Sequence, residues 1–215
     1  VSIPTKERVT GCVSTQVGCK FNCFFCASGL LGYKRNLTAG EMLDEVLYLK
    51  KNKLTHLVFM GMGEPLDNYD FVIKAIRIIN SPEAIHIGAR RITISTCGII
   101  PGIKRLSEEG IQIELSISLH AADDKTRTQV MPVNKKYPLE ELMLACKEYI
   151  KKTGRQITFE YILINGINSD LQSAKNLSTI LKGLNCKVNL IPSNVVKECR
   201  VGPPDKQDIL CFKDY

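Results

Sequence analysis

Residues 111–120, I-Q-I-E-L-S-I-S-L-H, decide the fold. The odd positions, Ile111, Ile113, Leu115, Ile117 and Leu119, are all apolar. The even positions, Gln112, Glu114, Ser116, Ser118 and His120, are all polar. A β-strand shows alternate side chains to opposite faces. Outer helices should cover the apolar face, which leaves the polar face lining the inside of an open barrel. A solvent-exposed edge strand is the alternative. Working outward, strands are expected at 9–16, 56–60, 91–95, 111–120, 156–164 and 187–191. Helical patterns separate them: one capped by Thr38 and running to about Lys51, then 69–80, a stretch from Pro101 to near Glu109, 139–153 closed by Gly154, and 169–184. A short helix is expected from Asp205. Thr38-Ala-Gly-Glu41 is a capping box. Strand and helix thus alternate six times with short connections, which implies parallel strands and helical crossovers. The expected class is α/β, a partial (βα)6 barrel of TIM type built from residues 1–215 as a single domain. In such folds the functional loops lie at the carboxyl ends of the strands.

Bulk composition sets limits. At 215 residues the chain is long enough to bury a substantial core. It has no run of 18 apolar residues, so no membrane span is expected. The start, V-S-I-P-T-K-E-R, does not read as a signal peptide. Nine cysteines in a chain of this kind favour a reducing compartment, with clustered thiols ligating metal rather than pairing; a cytoplasmic location is expected. Cys97, Cys146, Cys186, Cys199 and Cys211 are scattered and read mainly as packing residues. A net charge of +7 suits a polyanionic partner. Basic pairs at Lys34-Arg35, Arg90-Arg91 and Lys135-Lys136 read singly as solvated surface; together they could follow a phosphate backbone.

The loop after the first strand carries the chemistry: G-C-V-S-T-Q-V-G-C-K-F-N-C-F-F-C-A-S-G-L-L-G, from Gly11 to Gly32. Cys19, Cys23 and Cys26 stand at C-x3-C-x2-C, and Cys12 lies seven residues upstream. Soft thiolates at such spacing hold zinc or an iron–sulfur cluster. Structural zinc sites draw four ligands, commonly as two pairs, and no second pair is present. Three close thiolates without a fourth point to a [4Fe–4S] cluster with one open iron. The plainer reading is buried thiols in an apolar loop.

Other polar or glycine-rich elements fall on the same edge. Gly61-Met-Gly-Glu-Pro65 follows the second strand, Ser95-Thr-Cys-Gly98 the third, Ser118-Leu-His120 the fourth, and Asn189-Leu-Ile-Pro-Ser-Asn194 the sixth. The Gly61–Pro65 turn is not a dinucleotide fingerprint, which needs G-x-G-x-x-G. Its glycines would let backbone approach a small ligand, and Glu64 would accept a hydrogen bond from an amino group.

Taken together, C-V-S-T-Q-V-G-C, the cysteine loop, G-Y-K-R-N-L, M-G-M-G-E-P, I-S-T-C-G-I-I-P, S-I-S-L-H-A and V-N-L-I-P-S-N resemble the RlmN/Cfr family of radical SAM RNA methyltransferases across essentially the whole chain. The resemblance implies the radical SAM fold. It implies that Cys19, Cys23 and Cys26 ligate a [4Fe–4S] cluster and that S-adenosylmethionine (SAM) takes the remaining iron. It assigns SAM contacts to Gly63, Glu64, Ser95, Ser118, Leu119, His120 and Asn194, with Asn189 as an alternative to Asn194. Cys12 matches a family cysteine that helps release product from a protein–RNA crosslink. In the family one SAM methylates a carrier cysteine, and a second is split reductively. The radical so formed activates that methyl group, which adds to an adenine carbon, C2 in one branch and C8 in the other. C2 is the expected position here, on 23S ribosomal RNA and, as a second candidate, transfer RNA. An electron donor such as flavodoxin or ferredoxin, a monomeric state and no membrane partner are also expected.

The sequence departs from the family in places. The carrier cysteine belongs to an A-A-C-G-Q-L segment, which these residues do not contain. The family's glutamate proton acceptor would precede Val1, as would an accessory domain that helps hold RNA. The expectation is a central domain of a longer protein. Ser193-Asn-Val-Val196 replaces the usual N-P-V ending. Two other classes stand as alternatives: a different small radical SAM enzyme such as a glycyl-radical activase, and a cysteine-rich metal-binding module without catalysis.

Overall fold

The computed structural model describes residues 1–194 and 202–215; Cys199 and Val195-Val196 lie outside the described residues. In chain order the elements are β1 (Ser2–Pro4), β2 (Val9–Cys12), β3 (Gln16–Val17), α1 (Ala27–Leu30), β4 (Arg35–Asn36), α2 (Ala39–Lys50), β5 (His56–Phe59), α3 (Tyr69–Asn80), β6 (Ile92–Thr96), α4 (Ile100–Leu106), β7 (Glu114–Ser118), α5 (Asp124–Val130), α6 (Leu139–Thr153), β8 (Ile157–Leu163), α7 (Leu171–Leu181), β9 (Cys186–Pro192) and α8 (Lys206–Asp214). One sheet runs β1-β2-β5-β6-β7-β8-β9. β1 is antiparallel to β2, and every later neighbour is parallel. Six parallel strands therefore follow one another in chain order. A doubly wound sheet reverses its strand order at a switch point; this sheet never does. It curls progressively into a partial barrel, as the alternation of residues 111–120 implies.

That alternation shows in β7. Ile113, Leu115, Ile117 and Leu119 are fully buried beneath the helices, whereas Ser116, Ser118 and His120 turn to the other face. The covering helices form where the pattern places them. Thr38 accepts from the Glu41 backbone N–H while the Glu41 carboxylate accepts from the Thr38 N–H, so α2 begins with both ends of its capping box made. α3 buries Val72, Ile73, Ala75, Ile76 and Ile79 on one stripe. Gly154 closes α6 at φ +65°, the left-handed cap that glycine supplies.

Several bounds differ from expectation, each for a local reason. The first strand stops at Cys12, because the Thr15 and Gln16 N–H groups both donate to the Met62 carbonyl, drawing the chain across the Gly61–Pro65 turn. The fourth strand ends at Ser118, since His120 takes φ +58° and breaks the pleat. α5 was not foreseen. Seven residues capped by Asp123 are too short to show helical periodicity, and only Arg127 and Val130 are buried. β1, also unforeseen, is three residues at the sheet edge.

Candidate functional site

The cysteine loop is an excursion closed at its neck. Gln16–Val17 pairs antiparallel with Arg35–Asn36, and the Lys34 N–H donates to the Val17 carbonyl at 2.8 Å. Gly18, at φ +80°, lies directly against the Gly32 carbonyl. At its far side the loop docks on the end of α5, where the Phe24 N–H donates to the Val130 carbonyl at 2.9 Å. Lys20 reaches back to Asp67 at 2.6 Å.

Inside the barrel mouth is a cavity of about 300 Å³. Cys19, Cys23 and Cys26 line it from the loop, Gly63 and Glu64 from the turn after β5, Ser95 from β6, and Ser118 and His120 from the end of β7. Elements far apart in sequence thus converge as an open barrel should make them. The other three anticipated residues do not line this cavity. Leu119 turns its side chain into the core, its N–H donates to the Glu160 carbonyl, and its carbonyl accepts from Arg127. Asn194 is exposed. Cys12 lines a neighbouring cavity whose walls include Cys26, Met60 and Gly61, all three of which also face the first. Asn189 donates to Glu160 Oε2 at 2.7 Å.

The glycines of the turn have a structural reason beyond ligand approach. A Cβ on Gly63, which sits at φ +102°, would stand 2.5 Å from Gln16 Cβ. Gln16 occupies the space instead. Its Oε1 accepts from the Glu64 N–H, and its Nε2 donates to Asn36 Oδ1 and to Asp67 Oδ2. One buried amide therefore joins the neck of the cysteine loop to the Glu64 turn. The Glu64 side chain, 4% exposed, is itself engaged: Oε1 accepts from the Leu66 N–H at 2.9 Å and Oε2 from the Cys97 N–H at 2.7 Å. Burial pushes its pKa up and these donors pull it back.

His120 is 5% exposed and strained. Its Nδ1 accepts from the Ile162 N–H at 3.0 Å, and its carbonyl accepts from Asn168. A ring that accepts at Nδ1 carries its proton on Nε2. Burial, followed by the Arg127 charge, lowers its pKa to about 3, so the ring is neutral and Nε2 is a fixed donor. The Phe25 ring packs on it edge to face at 4.6 Å.

Sequence reasoning missed four contributors. Glu160 and Cys97 line the cavity. Glu160 was hidden inside an apolar strand, where a lone inward acid was the available signal. Cys97 reads as one of the scattered packing cysteines, and its place just after a strand end is the signal that marks it. Gln16 reads as the last residue of the first strand. Arg127 lies in the unforeseen α5. Of the basic pairs, Arg35 forks onto Glu41 and Arg90 onto Gln112.

The donor set suits an iron–sulfur cluster. Cys23 packs in an apolar patch with Phe21 and Phe25. Burial, then Cys26 and Cys19, push its thiol up to about 12; binding to metal would remove that proton outright. Among the described residues no three His, Cys, Asp or Glu side chains are grouped tightly enough for a single metal ion. A cluster whose irons each take one thiolate asks for spaced donors around a cavity rather than convergence on one point. Among the described residues no cysteine is in a disulfide.

Residues 13–175 match the Radical SAM superfamily, and the chain belongs to it. The superfamily uses a [4Fe–4S] cluster with SAM. Within it the likeness is to RlmN. The chain is 52% identical to the probable dual-specificity RNA methyltransferase RlmN of Thermoanaerobacter sp. strain X514 and 50% identical to that of Caldanaerobacter subterraneus subsp. tengcongensis, over 99% of this chain and 63% of each relative. The crystal structure of a radical SAM methyltransferase from Sphaerobacter thermophilus superposes with TM-score 0.97 at 44% identity, over 99% of this chain and 64% of that one. The chain thus spans somewhat under two thirds of the length of these relatives.

Proposed function

We propose that this chain is the catalytic core of an RlmN-type RNA methyltransferase acting on an adenine carbon, C2 rather than C8, of 23S ribosomal RNA and of transfer RNA. Cys19, Cys23 and Cys26 would hold the [4Fe–4S] cluster. Gly63, Glu64, Ser95, Ser118 and His120 would surround SAM, with Leu119 and Asn194 at its margin. The observation that carries this reading is that those three thiols and polar residues from three separate strand ends line one cavity. When bound, the cluster and SAM supply the one-electron chemistry, which is the cofactors' own. The chain's part is positioning and exclusion of water. Phe25, Phe59, Met131 and Ile162 make the cavity largely apolar, and the His120 Nε2–H and the Glu160 carboxylate offer a donor and an acceptor within it. Cys12, which lines the neighbouring cavity, would serve the step that releases product. Flavodoxin or ferredoxin as electron donor, a monomeric state and a cytoplasmic location complete the reading. No helix among the described residues is long and apolar enough to cross a membrane.

The test has two parts. Anaerobic reconstitution should give about four irons and four sulfides per chain, the complement of such a cluster. Alanine at Cys19, Cys23 or Cys26 should abolish this, and Cys12→Ala should not. A chimera with residues 1–215 replacing the matching stretch of the Thermoanaerobacter relative should form 2-methyladenosine in unmodified RNA. Iron retained by Cys23→Ala would sink the cluster assignment; 8-methyladenosine from the chimera would overturn the choice of carbon.

A further inference from the structure

Arg127 is 0% exposed, and its guanidinium makes five hydrogen bonds. Nε donates to the Leu119 carbonyl at 3.1 Å, Nη1 to Asn134 Oδ1 at 2.8 Å and the Tyr137 carbonyl at 3.4 Å, and Nη2 to the carbonyls of Cys97 at 2.8 Å and Ser118 at 3.3 Å. Every acceptor is neutral. Two carboxylates stand one residue away in this network, neither bonded to the guanidinium: exposed Asp124, to which Asn134 donates at 2.8 Å, and Glu64, which accepts from the Cys97 N–H at 2.7 Å. Arginine is seldom fully buried without an ionic partner, because an uncompensated buried charge costs several kcal/mol. Neutral donors would hold three strand-end carbonyls equally well, so the full charge needs another reason.

That reason lies across the wall. Cys97 and Ser118, whose carbonyls Arg127 grips, line the cavity. Three thiolates around a [4Fe–4S] core make a net anion. We infer that Arg127 is the built-in counter-cation of the cofactor cavity, a positioning residue whose charge favours the reduced cluster while its fork fixes the loops after β6 and β7. The inference rests on the cofactor reading above. A nearby cation stabilises the form carrying the extra electron, so it should raise the cluster's reduction potential, which depends on the charge and hydrogen bonding around the cluster.

The experiment is a redox titration of the reconstituted chain without SAM, followed by electron paramagnetic resonance, with iron and sulfide counted in each sample. Arg127→Gln, loaded to the wild-type level, should titrate at a more negative potential, and Arg127→Lys should return it toward the wild-type value. Leu142→Glu offers a second route with the guanidinium kept. Leu142 and Nη2 flank the same point, since a Cβ on Gly98 would lie 3.1 Å from one and 3.2 Å from the other. A carboxylate there should neutralise the charge and lower the potential likewise. An unchanged potential in either loaded neutralising variant overturns the inference. So does failure of both to fold by circular dichroism, which would assign Arg127 to the fold alone. A wild-type chain that takes up no iron would instead overturn the cofactor reading itself, and this inference with it.

Discussion

Gly18 lies against Gly32 so closely that a Cβ on Gly18 would collide with the Gly32 carbonyl oxygen. This contact shuts the neck of the loop bearing all three cavity-lining loop cysteines. Gly18 also takes φ +80°, where a side chain is strained whatever the space. Gly18→Ala should therefore open the neck while the sheet beneath stays folded. The expected outcome is loss of most of the iron bound by the wild type, with little change in the far-ultraviolet circular dichroism. Full iron retention would show that the neck does not set the cysteine spacing.

Glu64 joins two loops before any ligand arrives. Its carboxylate takes the Leu66 and Cys97 N–H groups, one from the turn after β5 and one from the end of β6. Glu64→Ala leaves two buried donors unsatisfied, at about 1–3 kcal/mol each. Glu64→Gln keeps one oxygen to accept and places an NH2 against the other N–H, so it should lose less. Both should lower the melting temperature of the metal-free chain, alanine further. Both should also weaken SAM binding, through the shifted Cys97 strand end as well as through any direct contact. A metal-free alanine variant as stable as wild type would remove the bridging role.

Much of this was legible beforehand, and the exceptions have physical causes. The alternation of residues 111–120 and the order of the strand–helix units were enough for the barrel, because period two with one apolar face admits few architectures. The cysteine spacing marked the loop, and its place after a strand marked the edge. What sequence could not show was mutual packing. Gly63 lines the cavity, but the side on which a Cβ would project is filled by Gln16, which sequence could not show. Glu160 and Arg127 gave no pattern of their own. A single acid in the apolar run I-T-F-E-Y-I-L and a basic residue in a seven-residue helix become site residues only once β8 and α5 are placed.

Gln16 supplies a test of how the two loops are coupled. Its amide meets Asn36, Asp67 and the Glu64 N–H at once. Gln16→Glu keeps the shape and loses the two donors of Nε2, setting a carboxylate against the Asp67 side chain. Like charges so close repel, so Asp67 should shift away from the neck, carrying its Lys20 partner with it. Lower SAM affinity with the cluster still loaded is the expected result, measured by equilibrium binding to the reconstituted chain. Adding Asp67→Asn should restore part of it, since the repulsion is then gone. Equal affinities in all three proteins would dissociate the neck of the loop from the SAM side.

His120 gives the fold a dependence on pH whose sign can be worked out. Burial lowers its pKa from 6.5 to about 3. The folded chain therefore keeps the ring neutral while the unfolded chain takes up a proton as pH falls through 6.5. Protons bound preferentially by the unfolded state destabilise the native one. The stabilising contribution is fully present above pH 6.5 and is lost progressively as pH falls toward 3. His120→Asn isolates this. Asparagine tolerates the left-handed backbone and its side-chain oxygen can still accept from the Ile162 N–H, but it does not titrate. At pH 7.5 the variant should be less stable in urea unfolding of the metal-free chain, because the Phe25 contact is gone. Between pH 6 and pH 4 the gap should narrow by up to about 1.4 kcal/mol per pH unit, the worth of one proton. A gap that stays constant across that range would mean that His120 is protonated in the folded chain, and its Nε2–H could then no longer be treated as the fixed neutral donor of the cavity.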